Sequence, residues 1–316
     1  MKIVFLGTPQ IACGFLSELH KGEHEIIGVI SQPDKTQGRG LCLKCSPVKE
    51  EALKFCIPVF QPDSDEAIRE AIASLKSDLC IAIAYGRFLK KDVLELPKLG
   101  FLNIHFSLLP NYRGAAPVQH ALINGEEKTG VTSFWIEEKM DTGPIFRTLE
   151  VPVLAQDDAF SLFEKLSQAG IKLLADCLHE IKKGNIIKIP QTGKPSFAPR
   201  IEKKDSWLDF NNKASVVYNK VRGLACGPKA RFYSLVGAKK ISVQVIKASL
   251  KEFPTEKNIN GEAGIIASIE RGKGFYIQCT DSVVFIEQVQ PEGKKPMNAA
   301  DFINGARFKV GDKIAI

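Results

Sequence analysis

The sequence predicts an α/β protein: a mostly parallel sheet with helices on both faces, then a small antiparallel β-barrel. Three observations carry this. Short apolar runs alternate with helix-forming stretches through the first half of the chain. A long amphipathic stretch and a segment rich in Pro, Gly and Lys close that half off. After Pro228 the pattern changes to closely spaced strand-like runs with glycine turns.

The elements follow in order. "KIVFLG" (2–7), "EIIGVIS" (25–31), "DLCIAIAYG" (78–86) and "FLNIHFSLL" (101–109) are apolar runs bounded by Gly, Pro and charged residues, and each predicts a strand. Helices are expected between them, over Pro47–Phe55 and Ser64–Leu75 among others. "VTSFWIEE" (131–138) and "PIFRTLEVPV" (144–153) stand either side of the loop "KMDTG", and they predict a hairpin appended to the sheet. In Asp158–Lys183 the residues Leu162, Leu166, Ala169, Leu173, Cys177 and Ile181 recur at helical spacing, and Gly184 is a fitting stop. "NIIKIPQTGKPSFAPRIEKKDSWLDF" reads as a linker, and "NNKASVVYNKVRGL" as a short helix. "ARFYSLV", "KKISVQVIKASL", "AGIIASIE", "GFYIQCTD" and "SVVFIEQVQP" are the strands expected of the barrel.

The 316 residues are 44% hydrophobic and 25% charged, which is enough apolar material for one or two domains without staples. No apolar run is long enough to span a bilayer. "MKIVFLGTPQ" reads as a first strand and not as a signal peptide. Eight irregularly spaced cysteines fit reduced thiols and a cytoplasmic setting better than a disulfide framework. Cys42 and Cys45 form a C-x-x-C pair. A zinc site would need two more ligands and none stands nearby, so an incidental loop pair is expected, with a redox or metal role as the alternative.

Charge is unevenly placed. Residues 200–316 hold 20 Lys+Arg and 12 Asp+Glu, a balance of +8, while residues 1–199 hold 23 and 24, a balance of −1. Such asymmetry suits a polyanionic partner of the C-terminal part, and it suits a plain solvated surface as well.

Within the run 101–109, Asn103 and His105 are two residues apart. They share one face of a strand, and Leu102, Ile104 and Phe106 share the other. Polar residues at the carboxyl end of a parallel strand stand where open α/β sheets bind ligands. A satisfied core pair is the bland reading. Downstream, "NYRGAAP" and "MDTG" bring Gly114, Gly143 and Asp141. An Asn amide and a protonated His can bind an oxyanion, and an Asp can orient the His or relay a proton. No G-x-S-x-G elbow accompanies Ser107. No G-x-G-x-x-G follows the first strand, which speaks against a dinucleotide-dependent oxidoreductase.

"NIHFSLLPNYRGAAPVQHALINGEEKTGVT" followed by "MDTGPI" resembles the folate-dependent formyltransferase family. "GTPQIACGFL", "QPDKTQGRG", "SPVKEEA", "VFQP", "AYGRFL" and "QPEGKKPMNAADFINGAR" resemble its branch that acts on aminoacylated RNA. The resemblance covers nearly the whole chain.

It implies a Rossmann-like catalytic domain over 1–189, a linker over 190–206 and an OB-like RNA-binding domain over 207–316. It implies transfer of a formyl group from 10-formyltetrahydrofolate to the α-amine of methionyl initiator tRNA. Asn103, His105 and Asp141 would be catalytic, no metal would take part, and the protein would be a monomer. The folate would contact Ser107, Leu108, Leu109 and Pro110, with Tyr85, Gly86, Arg87, Phe88 and Leu89 and the loop from Ile136 through Met140 lining the pterin pocket. Lys35, Arg39, Lys44 and Lys49 would face the acceptor stem. Lys203, Lys204, Arg222, Lys229, Lys294 and Lys295 are further RNA candidates.

Two departures stand out. "LACGPKARF" lacks the family's aromatic–Pro pair, and Phe134 and Trp135 replace smaller or Met-like residues. Formylation of an amino sugar nucleotide or another small amine is the competing reaction, and a non-catalytic RNA binder is the competing class.

Overall fold

The computed structural model describes residues 1–37, 42–251 and 261–314. Its contacts cluster into two compact units, one of residues 1–117, 128–152 and 163–198, the other of residues 118–127, 153–162 and 199–316. Two stretches that the sequence places inside its first domain, 118–127 and 153–162, thus cluster with the second unit.

In chain order the elements begin with β1 (Lys2–Gly7), α1 (Gln10–Lys21), β2 (Glu25–Ile30), β3 (Lys35–Gln37), β4 (Cys42–Lys44), α2 (Pro47–Lys54), β5 (Val59–Phe60) and α3 (Asp65–Leu75). Then come β6 (Leu79–Ile83), α4 (Lys91–Leu94), β7 (Phe101–His105), α5 (Pro117–Ile123), β8 (Lys128–Trp135), β9 (Ile145–Pro152) and α6 (Ala159–Lys182). Seven strands form one sheet in the order β5-β2-β1-β6-β7-β8-β9. β5 through β7 are parallel, and β8 and β9 add the expected antiparallel hairpin at one edge.

Alternating residues of the buried strands face opposite layers. Val4, Leu6, Ile30, Cys80 and Ala82 pack with Ile68 and Ile72 of α3 and Val93 of α4. On the other face Phe15 of α1 meets Phe106 edge-on, Phe106 meets Phe163 of α6, and Gly170 of α6 fits against Phe15 and Ile104. Each fully buried side chain of this size contributes about 1.5–3 kcal/mol. Helices α2 and α3 start where their side-chain caps are. Ser46 accepts from the Lys49 amide with Pro47 in the first turn, and Ser64 accepts from the Ala67 amide.

Three details differ from the sequence expectation. The strand expected over 78–86 ends at Ile83, because Ala84 (φ 49°) and Gly86 (φ 79°) turn into the left-handed region. The strand expected over 101–109 ends at His105, and Ser107 then donates to Asn111 O to make a turn. The basic loop after Pro33 is framed by a two-stranded ribbon, β3 against β4.

In the second unit follow α7 (Ala214–Gly223), β10 (Arg231–Val236), β11 (Lys239–Ser249), β12 (Ile266–Glu270), β13 (Gly274–Gln278), β14 (Val283–Pro291), β15 (Met297–Asn298) and α8 (Ala299–Ala306). The six strands make an antiparallel half-barrel in the order β10-β11-β14-β13-β12, with β15 on β14. Its core joins Val217 and Val221 of α7, Phe302 and Ile303 of α8, and Phe232, Val243, Phe275, Val284 and Ile286 of the strands. At the departure "LACGPKARF", Leu224 is buried in that core and Cys226 is exposed. Among the described side chains seven cysteines are free thiols, and burial pushes Cys80 and Cys279 up to about 12. Among the described residues no helix is long and apolar enough to cross a membrane.

Candidate active site

The parallel strands β6 and β7 end side by side, with Ala82 paired to Asn103. A cavity of about 410 Å³ opens at their carboxyl ends. Its walls are Tyr85–Leu89 from the turn after β6, Asn103–Phe106 from β7, Gly114 and Ala115, Phe134 of β8, and the loop residues Ile136, Glu137, Lys139, Met140 and Asp141. Phe88 and Met140 are exposed at its rim.

Asn103, His105 and Asp141 therefore line one cavity. Asn103 Oδ1 is buried without a protein partner. A buried acceptor left unpaired costs about 1–3 kcal/mol, which a ligand donor would relieve. The Tyr85 hydroxyl is likewise buried without a partner, and burial raises its pKa. His105 Nε2 lies 2.9 Å from Tyr112 O, and since a carbonyl can only accept, Nε2 carries the hydrogen. Nδ1 then faces Asp141 Oδ2 at 3.7 Å, too long for a direct hydrogen bond. No direct hydrogen bond joins His105 to Asp141. The Asp141 carboxylate instead accepts from the Gly114 amide at 2.7 Å. The edge of Phe134 packs against the imidazole, with ring centroids 6.4 Å apart.

Both glycines of the site are explained. A side chain on Gly114 (φ 128°) would place Cβ 2.5 Å from Ala198 O, and one on Gly143 would meet Trp135 O at 1.8 Å. Trp135, the other aromatic departure, donates through Nε1 to Ile187 O.

The structure does not bring Ser107, Leu108, Leu109 and Pro110 to the cavity. Thr132 Oγ1 donates to Ser107 O and accepts from the Leu109 amide. Ser107 and Leu109 are buried, whereas Leu108 and Pro110 are half-buried.

The basic candidates divide. Lys35 and Lys44 are exposed and directly opposite each other in the β3–β4 ribbon. Arg39 lies outside the described residues. Lys49 is turned inward, donating to Asp34 and to Gln61, each at 2.6 Å. Lys203, Lys294 and Lys295 are exposed, and Lys204 pairs with Glu202 at 2.9 Å. The Arg222 guanidinium is spent on Asn219, Leu154 O and Asp157 O, and Lys229 is tied to Ala225 O. The Cys42 side chain lies outside what is described, and Cys45 Sγ contacts Asp34 at 3.6 Å. Among the described residues no group of His, Cys, Asp and Glu is placed to hold a metal ion.

Sequence reasoning missed Arg113 and Gln191. Arg113 Nε and Nη2 donate to Gln191 Oε1 at 3.2 and 2.6 Å, and Gln191 Nε2 donates to Asp141 O and Gly143 O at 2.9 and 2.8 Å. Arg113 stood inside the quoted motif, but nothing marked Gln191, 50 residues beyond Asp141.

The chain was also compared with known proteins. Residues 1–178 match the formyl transferase family model, and residues 200–307 match that of the formyl transferase C-terminal domain. The chain is 44% identical over 332 aligned residues to the methionyl-tRNA formyltransferase of Elusimicrobium minutum (strain Pei191), covering 99% of each. It is 37% identical over 317 residues to that of Sulfurihydrogenibium sp. (strain YO3AOP1), again covering 99% of each. Two solved structures at 20% identity share the fold. HypX from Aquifex aeolicus in complex with tetrahydrofolic acid gives a TM-score of 0.67 over 98% of this chain, which spans 48% of HypX. WlaRD, a sugar 3N-formyl transferase, gives 0.64 over 93% of this chain and 99% of its own. With both models matched in order along one chain, and with relatives aligned from end to end, the chain belongs to the formyl transferase family.

Proposed function

We propose that this chain transfers the formyl group of 10-formyltetrahydrofolate to the α-amine of methionine carried on initiator tRNA. The observation that carries the reading is the convergence of Asn103, His105 and Asp141 on one cavity, in a chain aligned end to end with methionyl-tRNA formyltransferases. The flat folate head fits the apolar walls Phe88, Leu89, Phe134 and Ile136, and Tyr85 Oη and Asn103 Oδ1 are unpaired polar atoms for it to meet. Half-buried Leu108 and Pro110 suit its more distal part.

The neutral amine adds to the formyl carbon, and the carbonyl electron pair moves to oxygen. Asn103 and protonated His105 stabilise that oxyanion. Asp141 takes a proton from the attacking nitrogen. Collapse breaks the bond to folate N10, which leaves with the proton. On the RNA side, Lys35, Lys44 and Arg39 face the acceptor stem, and Lys203, Lys204, Lys294 and Lys295 meet phosphates. Arg222 is not included, since its guanidinium is engaged within the protein. The protein acts as a monomer in the cytoplasm.

The test is formyl transfer by the purified chain to charged initiator tRNA, to elongator methionyl-tRNA and to an amino sugar nucleotide. Selective formylation of the initiator is expected. Formylation of the sugar with no RNA product would move the reaction to the small-amine alternative. In the same assay Asp141→Asn is expected to lose about 10²–10⁴-fold in kcat while still binding folate. Near-parental activity across the pH range would remove Asp141 from the mechanism.

A further inference from the structure

Gln191 lies in the stretch between residue 178, where one family match ends, and residue 200, where the next begins. We propose that Gln191 is a positioning residue for the reaction, fastening the loop that carries Asp141 in register with His105, with Arg113 fixing Gln191 in turn. The role rests on the part given to Asp141 above.

Asp141 holds a left-handed backbone (φ 54°), which a non-glycine residue keeps only where its surroundings over-determine it. Gln191 supplies that constraint. One amide nitrogen donates to the carbonyls on both sides of Thr142, those of Asp141 and Gly143. The amide cannot be turned over. Its oxygen receives two donors from Arg113, and a swap would set N–H against guanidinium and oxygen against two carbonyls.

The backbone behind Gln191 is itself anchored. Ile189 exchanges both main-chain hydrogen bonds with Ile145, at 2.7 and 2.9 Å. Ser196 O accepts from the Arg113 amide, and the Ala198 amide donates to Arg113 O. Beside Arg113, the Gly114 amide holds the Asp141 carboxylate. The turn at 112–114 and the loop at 139–143 are therefore joined through main chain and side chain together. Gln191 does not line the cavity, so its effect on chemistry must pass through Asp141. A misplacement of about 1 Å in such a group costs on the order of 10²-fold in rate.

The decisive variant is Gln191→Glu. It keeps the size, strengthens the pairing with Arg113, and replaces both donors by acceptors facing Asp141 O and Gly143 O. Gln191→Ala and Arg113→Ala accompany it, with melting curves taken first. If an alanine variant does not fold, the isosteric glutamate variant carries the test. We measure kcat and KM for RNA and folate, the pH profile of kcat, and amide hydrogen exchange over residues 139–143 of the full chain. The expected result is a kcat loss of about 10–100-fold. KM for the RNA should stay within about threefold. The pH profile should be displaced and exchange over 139–143 faster, with Arg113→Ala/Gln191→Glu no worse than Gln191→Glu alone. Turnover within about twofold of the parent with an unchanged pH profile would overturn the proposal. So would unchanged exchange protection. If the parent chain formylates no methionyl-tRNA, the functional reading falls separately, and the exchange measurement still decides whether Gln191 holds the loop.

Discussion

Asp34 illustrates how a single residue can support the site without touching it. Its carboxylate accepts from Lys49 Nζ and from Gln61 Nε2, and Gln61 in turn donates to Gln32 O. Gln32 reaches Tyr85 O at 2.9 Å, so the foot of the β3–β4 ribbon is bonded to the wall of the cavity. The Lys49 hydrogen bond, then that of Gln61, holds the Asp34 carboxyl below the usual carboxylate range. A folded value below the unfolded one means the contribution is complete above the unfolded value, near 4, and is lost as pH falls through the folded value. Asp34→Asn is therefore expected to lower Tm by a few degrees at pH 7, with the difference shrinking as pH drops below about 4. A difference constant from pH 7 to pH 3 would show that the Lys49 pairing contributes no pH-dependent stability.

At the scale of elements, the β3–β4 ribbon is the clearest case of local structure built against its own interest. Lys35 and Lys44 are directly opposite across the two strands. Like charges in that position repel, and Lys35 Nζ turns to Gln32 Oε1 at 3.0 Å. Lys35→Glu would replace the repulsion by a cross-strand attraction. It is expected to leave the melting temperature unchanged or raised, to leave folate binding intact, and to raise KM for the RNA about tenfold or more. The slope of log K against log salt should fall by about 1. A raised KM with an unchanged salt slope would assign the ribbon to some contact other than phosphate.

For the whole molecule, the positive excess resides in residues 200–316, at +8 against −1 for the rest, and the expected polyanion gives that bias a use. The boundary expected at 206 has a consequence for fragments. α7 is packed by residues well before it. Gly223 abuts Ile123 and Gln119 O, Tyr218 donates to Ala155 O, and Arg222 donates to Leu154 O and Asp157 O. A fragment of residues 207–316 loses all of these contacts. Thermal melts followed by circular dichroism should show it well less stable than the full chain. Equal melting temperatures would make residues 118–127 and 153–162 dispensable to that unit.

The sequence by itself determined the α/β class, the appended hairpin, the long α6 and the strand-rich C-terminal part. Each is encoded in the period and length of an apolar run. It also placed Asn103 and His105 on one face, since two residues apart in a strand admits no other arrangement. Helix α8 was legible in principle, with Asn298 as cap and Asp301 in the first turn, although short runs among strands are easily passed over. Strand ends were less legible, because Ala84 turns left-handed at a residue with no such preference. Only the tertiary structure decided that Asp141 is bonded to Gly114 and not to His105, that Arg222 and Lys49 spend their charge internally, and that Gln191 grips the Asp141 loop. Those outcomes depend on contacts between residues 15 to 78 positions apart, which no local pattern records.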